Sequence, residues 1–139
     1  MLRIAVFLGV FTIAVQVWAA EPAIAVKDPS ARAPIGLATS TVAYAVLTDT
    51  SGQGDILTGV DTVNGGSASL HETTMDGGIM RMRARETLVI PAKGRLELKA
   101  GGPHIMLMDL PKGLKAGDTL PLRLHFKRGG DVVVNFILK

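Results

Sequence analysis

From residue 40 onward the chain is a succession of short runs rich in branched apolar residues, cut at regular intervals by turn chemistry. Such runs predict strands rather than helices, because apolar side chains recurring at every second position line one face of a pleated ribbon. The predicted strands are 40–48, 55–63, 68–73, 79–83, 95–99, 105–110, 119–126 and 132–138. Glycine pairs at 65–66, 77–78, 101–102 and 129–130 each fall between two of these runs, where a chain reversal needs backbone freedom. No long amphipathic helix and no internal repeat interrupts the pattern. The expected fold is all-β, a single-domain sandwich or Greek-key barrel.

The first twenty residues follow a different rule. Arg3 precedes an apolar run over 4–15, and Val17-Trp18-Ala19 has the small residues of a cleavage site, which together predict a secretory signal peptide at 1–19. The run is shorter than the roughly 20 residues a membrane helix needs, and no second one follows. Removing 19 of the 139 residues leaves a domain of 20–139, and takes Arg3 with it, so the formal charge falls from +3 to +2. This mild basicity and the 4% aromatic content do not suit a base-stacking nucleic-acid surface. The chain has no cysteine, which fits export to an oxidising compartment. It also excludes a blue-copper centre, whose ligand set includes a thiolate.

What the chain has instead is sulfur as thioether, gathered beside imidazole. Apart from Met1, every methionine (Met75, Met80, Met82, Met106, Met108) falls between residues 75 and 108, and two of the three histidines, His71 and His104, fall in the same stretch when it is opened at 71. Thioether is a soft, uncharged ligand that suits copper(I) and offers little to zinc, calcium or magnesium. A lone methionine on a strand is more often a core filler, and His125, between Leu124 and Phe126 with no methionine beside it, reads as an ordinary surface or hydrogen-bonded residue.

Strand register sharpens the grouping. A two-residue turn at Asp76-Gly77 would pair His71 directly with Met82, whereas a turn at Gly77-Gly78 would make Met82 its diagonal neighbour. Both registers leave the two side chains on one face. In the run 104–108, alternation sends His104, Met106 and Met108 to one face and Ile105 and Leu107 to the other. Pro103 and the glycines before it mark a strand start, which would keep the site near the surface. Arg81, Arg83 and Arg85 line the face opposite Met80 and Met82 and are expected to be solvated. For Met80 and Met108, in register with these residues, core packing is the expected role, with an outer or transient ligand role as the alternative.

His71, ten residues, Met82, twenty-one residues, His104, one residue and Met106 resemble the metal-binding motif of a periplasmic copper(I) chaperone family known as PCuAC. The likeness extends to His-Glu-Thr-Thr-Met-Asp-Gly-Gly at 71–78, Met-Arg-Met at 80–82 and Gly-Gly-Pro-His-Ile-Met-Leu-Met at 101–108. It also takes in the connection from Ile90-Pro91-Ala92 to Leu96-Glu97-Leu98. The resemblance implies a cupredoxin-like β-sandwich in which His71, Met82, His104 and Met106 bind one Cu(I). The implied partner is a copper-acceptor protein, either the CuA-bearing subunit of cytochrome c oxidase or another copper chaperone. Two departures stand out. Ser30-Ala31-Arg32 lacks the tryptophan common in the family's early segment, and the chain runs to Leu138-Lys139 without the His/Met-rich tail of some members, so one site is expected.

The acidic residues show no pairing suited to acid–base catalysis, and neither a nucleophile motif nor a phosphate loop appears. The chain is therefore not expected to be an enzyme. The rival readings are a periplasmic copper buffer or resistance protein without a dedicated acceptor, a copper oxidase or monooxygenase, and a β-sandwich interaction module whose methionines are core.

Overall fold

The computed structural model describes residues 13–14 and 23–139; the expected signal peptide and its cleavage site otherwise lie outside the described residues. The described chain forms ten strands: β1 (Ile24–Ala31), β2 (Thr41–Asp49), β3 (Asp55–Thr62), β4 (Ser67–Asp76), β5 (Ile79–Arg85), β6 (Leu88–Ile90), β7 (Arg95–Leu98), β8 (Pro103–Met108), β9 (Thr119–Phe126) and β10 (Gly130–Leu138). Among the described residues no helix is long and apolar enough to cross a membrane.

All ten strands belong to one hydrogen-bonded sheet in the order β5-β4-β8-β2-β1-β10-β9-β3-β6, with β7 added to β2 beyond β8. Only Glu86 and Thr87 separate β5 from β6, yet these strands stand at opposite ends of that order. Two residues span at most about 7 Å, so the sheet must curl until its two ends approach each other. The curled sheet encloses a single core, with Leu47, Leu57, Ile105, Leu107, Leu122 and Phe136 fully buried. Each such side chain contributes about 1.5–3 kcal/mol through burial.

All eight predicted strands are present. The two additional ones have identifiable disguises. β1 contains Asp28-Pro29, which reads as a loop; the structure places it in a register shift between Lys27 and Ser30, with Asp28 at a φ of +50°. A bulge is where a strand tolerates proline. Past it, β1 pairs in parallel with β10, Ser30 opposite Ile137, the join between the two halves of the rolled sheet. β6 is three residues long and ends at Pro91, too short for alternation to show.

The β4–β5 hairpin turns at Gly77-Gly78, with Asp76 opposite Ile79. Both glycines have positive φ, +57° and +81°, as a type I′ turn demands at its two central positions. Glycine takes that conformation at less cost than aspartate, and the register is the second alternative: His71 faces Ala84, and Thr73 faces Met82.

Candidate metal centre

Three neighbouring strands, β5, β4 and β8, carry the site. On their core side sit Leu70, Ile105 and Leu107, all buried. Alternation then forces His71, Met82, His104 and Met106 together onto the other side. His71 and His104 are directly opposed across β4 and β8, and their rings stack with centroids 5.9 Å apart and planes 25° from parallel. Met106 lies one rung along, opposite Ser69. Met82 lies one rung along in the other direction, opposite Thr73. The imidazoles thus occupy the middle rung, with one thioether on each side.

The hydrogen bonds of the two rings are informative. His104 Nδ1 lies 2.9 Å from the carbonyl of Gly102. A carbonyl only accepts, so Nδ1 carries the proton and Nε2 presents its lone pair. The same carbonyl accepts the Thr73 amide at 3.2 Å, tying the β7–β8 turn to β4 beside the site. His71 Nε2 lies 2.8 Å from Ser69 Oγ. When Nε2–H donates to this hydroxyl, the lone pair is on Nδ1. Among the described residues, two buried side-chain nitrogens have no hydrogen-bond partner: His71 Nδ1 and His104 Nε2. An unpaired buried polar atom costs about 1–3 kcal/mol. Two of them directly opposed, each on a ring whose other nitrogen is held, is an arrangement that suits a metal ion. Burial holds the His71 pKa below its ordinary value, and the neighbouring His104 adds to the effect; both favour the neutral form that ligates.

The described residues offer no group of three or more His, Cys, Asp or Glu side chains arranged for a metal, so a hard, oxygen-rich site has no place to form among them. Beside Met106 a groove of about 340 Å³, lined in part by Pro34, Ile35 and Val42, gives access from solvent.

Comparison with known proteins is decisive at this point. Residues 24–137 match the family described as "Putative lipoprotein LpqE-like", and solved PCuAC domains share the fold. The chain belongs to this LpqE-like, PCuAC-type family. The solution structure of CuI-DR1885 from Deinococcus radiodurans is 34% identical, with 84% of this chain and 80% of that one covered and a TM-score of 0.62. The copper-bound PCuAC domain from PmoF2 superposes with a TM-score of 0.71 over 87% of this chain and 96% of that domain; at 22% identity it speaks for the fold alone. "Putative lipoprotein Lxx21020" of Leifsonia xyli subsp. xyli is 36% identical over 90 residues, which are 64% of this chain. The chain spans about half of that relative's length, 54%.

Within this PCuAC-type chain the four side chains span a gradient of exposure, from His104 at 3% to Met82 at 54%. One expectation needs correction. Met80 and Met108 do not pack in the core. They are 64% and 42% exposed, since β5 is the last strand in the pairing order and Met108 ends β8. Arg81, Arg83 and Arg85 are solvated as expected, with Arg85 paired to Glu72 at 3.3 Å. Sequence reasoning passed over Ser69, whose only signal was its position two residues before His71 on the same face. His125 lies elsewhere, between Asp131 at 2.6 Å and Asp61 at 2.5 Å. These carboxylates, Asp131 foremost, raise its pKa.

Proposed function

We propose that this chain is a periplasmic copper(I) chaperone. It holds one Cu(I) through His71, Met82, His104 and Met106 and delivers the ion to the CuA centre of cytochrome c oxidase during assembly. The observation that carries the reading is the pair of buried, unpaired imidazole nitrogens on one rung with a thioether on each side. The likeness to CuI-DR1885 supports it.

Two neutral imidazoles and two thioethers leave the bound ion its single positive charge and match its softness. Thioether holds copper(I) less firmly than thiolate, which suits cargo that must be handed on. Methionine has no proton to lose, so only the histidines link binding to pH. The same chemistry gives the chain no role in turnover: four protein donors leave no open position for a substrate, and we assign it no enzymatic activity.

The test is an anaerobic titration of copper(I) against a chromogenic chelator, followed by transfer. Wild type is expected to hold one tight equivalent, the His104→Ala/Met106→Ala variant to lose it, and the loaded protein to metallate an apo CuA domain. Tight binding without transfer would point to a buffer instead. No competition with the chelator would refute the copper reading.

A further inference from the structure

Every described methionine lies outside the buried core. This is a strange use of an apolar side chain, and it is most pronounced at the tip of the β4–β5 hairpin. There Met75 and Met80 are direct cross-strand partners, 70% and 64% exposed, with Met82 next on the same face of β5 at 54%. Directly paired residues have Cβ atoms about 4.5–5.5 Å apart, and the next position on one face lies about 6.8 Å along an antiparallel strand. Flexible methionine side chains close both gaps. The three sulfurs can therefore converge on one point beyond the hairpin surface.

Filling the core does not explain these residues, because they fill none. Simple solvation does not either: the opposite face of β5 has arginine at all three corresponding positions, Arg81, Arg83 and Arg85, and is exposed throughout. An edge strand is ordinarily guarded by such charge. Here one face is guarded and the other presents soft, uncharged donors, a set that selects copper(I) over harder ions.

We propose that Met75, Met80 and Met82 form a second, weaker copper(I) site at the hairpin tip, through which the ion reaches and leaves the imidazole site. The proposal rests on the reading of His71, Met82, His104 and Met106 as the main site. Met82 is common to both: it neighbours Met80 on β5 and is the diagonal neighbour of His71 across the β4–β5 pair. Transfer is a ligand exchange in which the bond to Met82 persists while Met75 and Met80 give way to His71, His104 and Met106. Copper stays in the +1 state throughout. Thioethers and neutral imidazoles exchange without releasing or taking up a proton.

The test uses the whole protein with methionine methyls labelled with carbon-13, titrated anaerobically with copper(I). The first equivalent is expected to shift the Met82 and Met106 methyls; the second, held by Met75 and Met80 while Met82 stays on the first ion and therefore bound more weakly, is expected to shift those of Met75 and Met80. The Met75→Leu/Met80→Leu variant changes only exposed side chains of similar volume. It should keep the affinity of the first equivalent within about twofold, lose the second, and release copper to a chelator at least fivefold more slowly. Met75 and Met80 methyls that stay still through the second equivalent would overturn the tip site and leave the main site standing. Release from the variant at the wild-type rate would overturn the pathway. A wild type that retains no copper would overturn both, and is told apart by the silence of Met106.

Discussion

Ser69→Ala tests how the site is held rather than what it is made of. The hydroxyl lies 2.8 Å from His71 Nε2 and is the group that keeps the proton there, leaving Nδ1 free to bind copper. His104 has a carbonyl in the same role and needs no such choice; a hydroxyl can donate as well as accept, so His71 is the less firmly assigned ligand. A typical hydrogen bond is worth about 0.5–1.5 kcal/mol net, which is roughly a 2- to 13-fold change in affinity at 1.4 kcal/mol per decade. Loss of an outer partner of a metal-bound histidine costs about 10- to 100-fold. The two ranges meet near 10-fold, and that is the expected loss in copper(I) affinity. Ser69→Thr keeps the hydroxyl and should stay near wild type, which separates the hydrogen bond from contact with Met106 across the strand pair. The assay is competition with a chromogenic copper(I) chelator, with the melting temperature of the metal-free protein as a check on folding. Affinity unchanged within twofold in Ser69→Ala would refute the assignment of His71 Nδ1 as the ligand atom.

Copper(I) affinity should be level above pH 6.5 and fall below it, because a protonated imidazole cannot ligate. The lowered His71 pKa delays that ring's protonation to more acid pH, and affinity independent of pH between 5 and 7 in the chelator assay would contradict a two-histidine site. The raised His125 pKa has the opposite sign for stability. Its contribution is fully present below about 6.5, the ordinary histidine value, and is lost as pH rises through the higher folded value. In thermal melts of metal-free protein, His125→Gln should therefore be most destabilised relative to wild type at pH 5–6, with the gap narrowing by pH 9. Ile105→Ala, which empties a fully buried position directly behind the site, should cost about 2–5 kcal/mol by denaturant unfolding. A loss below about 1 kcal/mol would mean that β8 is not anchored as described.

Much of this was legible in the chain itself. The eight predicted strands declared themselves by alternation, and so did the placing of His71, Met82, His104 and Met106 on one face of the sheet. What escaped notice was decided by contacts that sequence does not display. β1 hid behind Asp28-Pro29, whose bulge shifts its register with β2 just before it also pairs with β10. The turn register hinged on which two residues take positive φ, and Gly77-Gly78 outcompeted an equally familiar Asp-Gly signal. Exposure of Met80 followed from the sheet order, which makes β5 an edge, and that of Met108 from its place at the end of β8; nothing local to those residues announces either. The hydrogen bonds that aim the two rings depend on a hydroxyl and a carbonyl that only the folded pairing brings within reach.

The central claim is that one copper(I) sits between His71, Met82, His104 and Met106. X-ray absorption of the protein loaded with a single equivalent of copper(I) under anaerobic conditions reads the donor set directly. Two nitrogen and two sulfur neighbours, with the nitrogen contribution lost in His71→Ala/His104→Ala, is the predicted result. A first equivalent surrounded by sulfur alone, or by nitrogen and oxygen without sulfur, would contradict it.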